Sequence, residues 1–404
     1  MKVMQINAVY GVGSTGVIVK DLHELCLQNG IESYVSYSTT NQKSEDIKNG
    51  YIIGGTLGKK IHAFLSRLGG KQAYFSSFAT KKFIKHIKRI KPDIVHLHNL
   101  HSNYINMNML LDYLGKSNTE TIITLHDCWF YTGGCFHYTA AGCGKWLEGC
   151  GNCPKKMQDT PAILKDNSAK ILSDRKKYFS AIKKLTVVGV SKWIEAEACK
   201  TFLKDADACH IHNGIDTSFF KPTPSDFRSK YDLENKFLIL APANKWFKPV
   251  NKDTFDYFTN NLPDDCVVVM LGCTESQKIN LPKNVLALDY IKDRDELRKI
   301  YSTCDVFVNC TREESFSLVN VEPQACGTPV VTYRNTGAQE TVDNKCSFSV
   351  ETGNYKDLLD ATLNIKKTGK NNLSQNCIEW AKQNFELTNN YLKYLELYRI
   401  RGMK

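Results

Sequence analysis

The feature that most limits how this chain can fold is an alternation of short β-branched runs with longer amphipathic stretches. In the first half, "KVMQINAV", "ESYVSYS", "DIVHLHN", "TIITLHD", "LTVVGVS" and "ACHIHNG" read as strands; in the second, "FLILAPA", "CVVVMLG", "VLALDYI", "DVFVNC" and "PVVTYR" repeat the theme. Helical patterns such as residues 16–29 and 104–115 lie between some of them. Strands alternating with helices predict βαβ units with parallel sheets, and right-handed crossovers place helices on both faces. A chain of 404 residues exceeds one ordinary core, so the expected class is α/β with two Rossmann-like domains.

The pattern is interrupted at "FFKPTPSDF", residues 219–227, by two prolines among polar residues. The expected domains are therefore 1–218 and 219–380. The N-terminal one carries a cysteine-rich insertion at 128–154, and the last helix, 381–404, is expected to return to the N-terminal domain. In open parallel sheets ligands bind beyond the carboxyl ends of the strands. Polar residues gather at such places: Gly11 to Gly16, His98 and Asn99, His126 and Asp127, Ser191, Asn213 and Gly214, Asn244 to Lys248, and Thr311 to Ser317.

Net charge is +11 and unevenly placed: residues 1–220 carry +10 and residues 221–404 only +1. Between residues 47 and 92 stand eleven basic side chains and no acid. Within "KKFIKHIKRIK", Phe83, Ile84, Ile87 and Ile90 recur at helical spacing, which reads as an amphipathic helix with a basic outer face. That face is either simply solvated or drawn to anionic lipid or a phosphate-bearing acceptor. Nucleic acid is not expected, because no aromatic interleaving or zinc-finger spacing accompanies the charge. No apolar run approaches the roughly 20 residues of a membrane-spanning helix, and the N-terminus does not resemble a signal peptide. The expectation is a cytoplasmic protein, peripheral at the inner membrane face.

"YGVGSTG", residues 10–16, follows a strand and opens a helix. Gly13 and Ser14 either let backbone approach an anion at the helix N-terminus or simply form a tight turn. His126 ends a strand beside Asp127; it could hydrogen-bond a sugar hydroxyl, steady developing charge, or be a satisfied core histidine. His96, His98 and His101 lie close in sequence, but no further ligand completes a metal site there.

The richest stretch is "TREESFSLVNVEPQACGTPVVTYRNTGAQETV", residues 311–342. A helix is expected to begin near Ser315 to Ser317, with the amides of Phe316, Ser317 and Leu318 facing an anion such as a diphosphate. Glu314 precedes that helix and Glu322 lies within it; alone, they could equally be surface charges.

Most of the fifteen cysteines are scattered as expected for reduced core residues. Cys135, Cys143, Cys150 and Cys153 cluster, the last two as C-x2-C. They are read as either packing thiols or a structural four-thiolate zinc site.

Glu314 and Glu322 with "ACGTPVV" and "TGAQE" resemble the donor site of glycosyltransferase family 4, retaining enzymes of the GT-B fold with two facing Rossmann-like domains. "GVGSTG", "KPDIVHLHNLHSNYIN", "TLHDCWFYTGGC", "GVSKW" and "IHNGID" extend the resemblance over nearly the whole chain, toward a bacterial subgroup that builds capsule, exopolysaccharide or lipopolysaccharide. The resemblance implies a nucleoside-diphosphate sugar as donor, a growing, lipid-linked glycan as acceptor, and no cofactor required for catalysis. It implies Glu314 at the transferred sugar, Glu322 at the ribose, the amides around Ser317 and Leu318 at the diphosphate, His126 near the donor sugar, and Gly13 in a loop near donor phosphate and acceptor.

One departure stands out. Family members usually carry an Arg and, five residues later, Lys-Gly after the first strand of the second domain. Here "APANKWFKPVNKD" puts Lys245 at the Arg place but Val250 and Asn251 at the Lys-Gly place, leaving Lys248 or Lys252 as substitute cations. Gly337 and Ala338 likewise replace a paired glycine. Other readings are a GT-B nucleotide-sugar enzyme of the 2-epimerase kind and a non-catalytic homologue.

Overall fold

The computed structural model describes residues 1–159 and 161–402. It divides into two compact units, one of residues 1–212 with the chain from Tyr391 onward, the other Asn213–Asn390. The division falls a few residues before the proline-rich break read from the sequence.

The first unit holds a seven-stranded parallel sheet. In spatial order its strands are β5 (Gly50–Ile52), β3 (Glu32–Tyr37), β1 (Lys2–Ile6), β6 (Ile94–Leu97), β7 (Glu120–Leu125), β8 (Leu185–Gly189) and β9 (Asp207–His210). A small two-stranded pair, β2 (Val9–Tyr10) and β4 (Thr39–Thr40), lies apart. Every residue of β6 and β7 is buried, as expected for strands covered on both faces by helices. Three helices matter below: α1 (Gly13–Gln28), α2 (Thr56–Gly69) and α3 (Ser77–Ile90).

The second unit holds a six-stranded parallel sheet in the order β12 (Val285–Leu288), β11 (Cys266–Leu271), β10 (Phe237–Pro242), β13 (Val306–Asn309), β14 (Val330–Arg334) and β15 (Phe348–Glu351). Its core gathers around Trp246, whose indole N–H donates to the Val308 carbonyl at 3.0 Å, so the segment after β10 is fastened to β13.

Both sheets reverse their winding at one place. In the first, β1 lies between β3 and β6; in the second, β10 lies between β11 and β13. Such a switch point opens a crevice at the carboxyl ends of the flanking strands. The loops after β1 and β6, and after β10 and β13, are among the segments whose polar residues the sequence singled out.

The C-terminal helical segment is two helices, Asn371–Phe385 and Leu387–Gly402, and not one. Glu386 interrupts them because the neighbouring backbone is bonded elsewhere: the Ile215 amide donates to the Phe385 carbonyl at 2.8 Å, and the Leu387 amide to the Ile215 carbonyl at 2.9 Å. Gly214 is required at that crossing, since a Cβ there would lie 2.4 Å from the Leu387 Cα. Beyond Tyr391, Tyr398 hydrogen-bonds His96 Nδ1 at 2.6 Å. Among the described residues no helix is long and apolar enough to cross a membrane.

Candidate active site

In the second unit, the site is built by a polar latch. Asn335 Nδ2 donates to the Thr311 carbonyl at 2.6 Å, the Glu314 amide to Thr336 Oγ1 at 2.9 Å, and the Gly337 amide to the Glu314 carbonyl at 3.0 Å. "NTG" therefore clamps the loop after β13 in one conformation. Beneath it, Asn309 Nδ2 donates to Asn320 Oδ1 at 2.8 Å, and Asn320 Nδ2 to Thr341 Oγ1 at 3.0 Å, both buried. A satisfied buried polar network of this kind fixes geometry in a way that apolar packing does not.

Helix Leu318–Ala325 opens from this loop. Ser317 occupies its N-cap position, but its side chain does not cap the helix and instead faces Asn309 Nδ2 at 3.3 Å. Phe316 packs edge-on against Phe385. An uncapped helix start carries partial positive charge and suits an anion.

Glu314 is mostly buried and pairs with Lys245, Nζ to Oε1 being 2.7 Å. Its other oxygen, Oε2, is buried without a hydrogen-bond partner, as is the neighbouring Ser315 Oγ. Buried polar atoms are rarely left so, and two together beside an uncapped helix mark a place that a polar ligand fits. Glu322 accepts from the Tyr301 hydroxyl at 3.0 Å. Burial pushes its carboxyl up to about 7, against the opposing pull of that hydroxyl and of Arg294.

The segment that departs from the family pattern has its own wiring. Asn251 is buried; its Nδ2 donates to the carbonyls of Lys245 and Cys310, each at 3.0 Å, and its Oδ1 accepts from Arg312 Nε at 2.9 Å. Val250 beside it is half exposed. Lys252 is ion-paired with Asp256 along its own helix, while Lys248 is exposed. Asn251 was noted in the sequence only as a departure from Lys-Gly, and Arg312 and Tyr301 were not singled out; the one available signal for Arg312 was its place within the loop that carries Glu314.

In the first unit, Gly11 and Gly13 both have positive φ, +66° and +64°, and the Gly11 amide closes the turn on the Gly16 carbonyl at 2.8 Å. Gly13 and the exposed Ser14 begin α1, which has no side-chain cap. A Cβ on Gly13 would meet nothing within 4 Å, so backbone conformation and not crowding demands glycine there. Across the switch point, the Asn99 amide donates to Asn7 Oδ1 at 3.0 Å.

Four histidines on or just after β6 and β7 have distinct fates. His96 is a satisfied core residue between Tyr398 and Thr124 Oγ1. His98 Nδ1 lies 3.0 Å from His126 Nε2, while His98 Nε2 is buried without a partner. A buried orphan N–H is rarer and costlier than an under-used acceptor, which assigns the shared proton to His98 Nδ1 and leaves His126 with its N–H on Nδ1. Burial holds His126 down at about 4, so it is neutral at pH 7 and offers hydrogen bonds, not charge. His101 Nε2 stands 3.4 Å from Asp127 Oδ2. Burial raises the Asp127 carboxyl, but His101 and the Trp129 amide outweigh it and hold it below the ordinary range.

Cys135, Cys143, Cys150 and Cys153 are all unpaired and half-buried. Burial pushes the thiols of Cys135 and Cys150 up to about 12 and about 11. Among the described residues no group of three or more His, Cys, Asp or Glu side chains is placed to hold a metal ion, although the four thiols lie within electrostatic reach of one another, Cys150 and Cys153 acting on Cys135 and Cys143 on both Cys150 and Cys153. Other residues hold the loop. Buried Arg175 donates to the carbonyls of Trp129 and Thr132 and stacks over the Trp129 ring at 3.8 Å. Asp166 accepts from the Cys153 amide at 2.8 Å, and Asp159 from the Phe136 amide at 3.0 Å.

Comparison with known proteins adds the following. A sequence model of Glycosyltransferase Family 4 matches residues 15–219, and one of Glycosyl transferases group 1 matches residues 253–384. The putative colanic acid biosynthesis glycosyl transferase WcaC of Escherichia coli (strain K12) is 22% identical over 362 residues, covering 85% of each chain. Among solved structures, sucrose-phosphate synthase from Thermosynechococcus elongatus superimposes with TM-score 0.71 at 18% identity, covering 98% of both chains. Anabaena Alr3699/HepE, in complex with UDP and glucose, does so with TM-score 0.65 at 15% identity, covering 99% of both. These likenesses show the fold to be that of GT-B glycosyltransferases.

Proposed function

Since the chain belongs to glycosyltransferase family 4, we propose that it moves a sugar, with retention of anomeric configuration, from a nucleoside diphosphate to a hydroxyl of a growing polysaccharide. The observation that carries this reading is Glu314: a largely buried carboxylate with one oxygen on Lys245 and the other unpartnered, at the foot of an uncapped helix. The free oxygen suits a sugar hydroxyl. The helix amides at Ser317 and Leu318 suit the diphosphate, and Lys245, with exposed Lys248 nearby in sequence, supplies positive charge to the departing phosphate. Glu322 is suited to ribose hydroxyls.

Neutral His126 would orient a sugar hydroxyl through its Nδ1 proton, with His98 holding the ring. No side chain need act as covalent nucleophile; the leaving phosphate takes the acceptor proton on the same face. The likeness to WcaC, named for colanic acid biosynthesis, supports a polysaccharide as product class, and the UDP and glucose named with HepE support a nucleotide-sugar donor. A lipid-linked acceptor fits a chain with a basic stretch from Lys48 to Lys91.

A non-catalytic homologue is the second reading, favoured by Val250 and Asn251 standing where family members carry Lys-Gly. A donor screen separates the two: UDP-, GDP- and ADP-sugars are incubated with the full chain and slow hydrolysis is followed. Release of nucleoside diphosphate from one donor supports the enzyme; binding without release supports the homologue.

A further inference from the structure

Helix α2 fully buries only polar side chains and turns one apolar face outward. Its buried positions are His62 and Ser66, and both are polar. His62 bonds Ser76 Oγ at 2.8 Å and accepts from the Phe75 amide at 3.3 Å; Ser66 donates to the Lys71 carbonyl at 3.1 Å. Of its large apolar side chains, Leu65 and Leu68 are partly buried, but Leu57, Ile61 and Phe64, spaced to share one face, are 72%, 53% and 65% exposed. Scattered exposed apolar residues need no explanation; three large ones aligned on one face of a helix do.

The apolar ridge continues at both ends. At the C-terminal end of α2, Ile163 and Leu164 donate their amides to the carbonyls of Arg67 and Leu68, which fixes them beside the helix, and they too are 58% and 76% exposed. At the other end, Phe78 of α3, 72% exposed, shares a groove of about 440 Å³ with Gly58 and Lys59 of α2. Around this ridge lie exposed Lys60, Arg67, Lys81, Lys82 and Lys85, and the chain from residue 47 to 92 contains no acid.

We infer that α2, the start of α3 and residues 163–164 form the face by which the protein docks on a bilayer of anionic lipid. Leu57, Ile61, Phe64 and Phe78 enter the acyl boundary, and the lysines settle at the phosphates. The layering matches: apolar tips project singly from the helix, while flexible cationic side chains flank them and can reach the headgroup plane. Insertion and charge each contribute, so removing either weakens binding. The inference extends the basic-face expectation by naming the inserted side chains, and it is independent of the donor and the reaction, because its readout is vesicle binding.

The test is flotation of the full chain with phosphatidylcholine vesicles, with and without phosphatidylglycerol. Flotation is expected only with phosphatidylglycerol, and is expected to fade as salt rises. Ile61→Ser with Phe64→Ser, and separately Lys81→Glu with Lys85→Glu, should each weaken it at least tenfold. All four positions are exposed, so circular dichroism and melting temperature should match the parent. The inference is overturned if the parent does not float, if the Ile61→Ser, Phe64→Ser protein floats equally well, or if those substitutions convert a dimer to a monomer while vesicle binding is unchanged.

Discussion

Lys245 and Glu314, one after each of the two strands that flank the second unit's switch point, are joined by a 2.7 Å ion pair in a largely buried setting. Each is the other's counter-charge, so neither is a free agent in the absence of ligand. Lys245→Met should leave Glu314 buried without a partner cation and cost about 1–3 kcal/mol of stability. Glu314→Gln should keep nucleoside diphosphate binding within a few fold while lowering kcat by roughly 100-fold, the size expected when one pre-set polar group at the reacting centre is lost. Urea denaturation and steady-state kinetics check the two halves.

Glu322 gives a pH dependence with a defined sign. Burial lifts its carboxyl to about 7 in the folded protein, above the ordinary value near 4.3. The folded state therefore holds this proton more tightly than the unfolded one. The stability that this contributes is fully present below the unfolded value and is lost as pH rises through 7. Glu322→Gln should thus be more stable than the parent at pH 8, by about 1–3 kcal/mol, with the difference vanishing near pH 4.5. The same variant should bind donor more weakly, since an amide cannot replace a carboxylate as a double acceptor for ribose. Thermal melts across pH, alongside calorimetry with the preferred donor, make the comparison.

The His98 and His126 pair sets a third expectation. With His126 held at about 4 by burial, its imidazole should stay neutral from pH 8 to pH 5.5. Nitrogen-15 histidine spectra should place its proton on Nδ1. His98→Phe should release that tautomer and lower kcat more than it raises KM; a fully charged His126 at pH 6.5 would contradict the assignment.

Asn251 and Val250 separate structure from chemistry. Asn251→Gly, the family-like residue, removes the side-chain hydrogen bonds to Lys245, Cys310 and Arg312 and should cost about 2–3 kcal/mol. Val250→Lys acts at a half-exposed position and should leave the melting temperature within a degree or two while tightening nucleoside diphosphate binding roughly threefold to tenfold. A gain in turnover from nothing would identify the natural chain as inactive.

What was legible in the sequence was local. The βα alternation, the loop that holds Glu314 and the helix that holds Glu322 are each written in a few consecutive residues. What escaped depends on partners far along the chain. Glu386 splits the last helical segment because Ile215 claims the backbone on either side. Asn251 reads as a failed glycine until Arg312 and Cys310 are seen around it. Helix α2 was not read from the sequence, and which of its faces is turned inward, with polar His62 and Ser66 in the interior, depends on the segments packed around it. The spacing of the four cysteines says nothing of Arg175, Asp159 and Asp166, which hold the loop around them from farther along the chain.

The most direct measurement is isothermal titration of the full chain with UDP, GDP and ADP and their common sugars. Saturable heat is predicted for one nucleoside diphosphate and its sugar, with the sugar's added affinity abolished in Glu314→Ala. Silence across the whole panel, or an added affinity unchanged by Glu314→Ala, would contradict a donor seated between Lys245, Glu314 and the start of helix Leu318–Ala325.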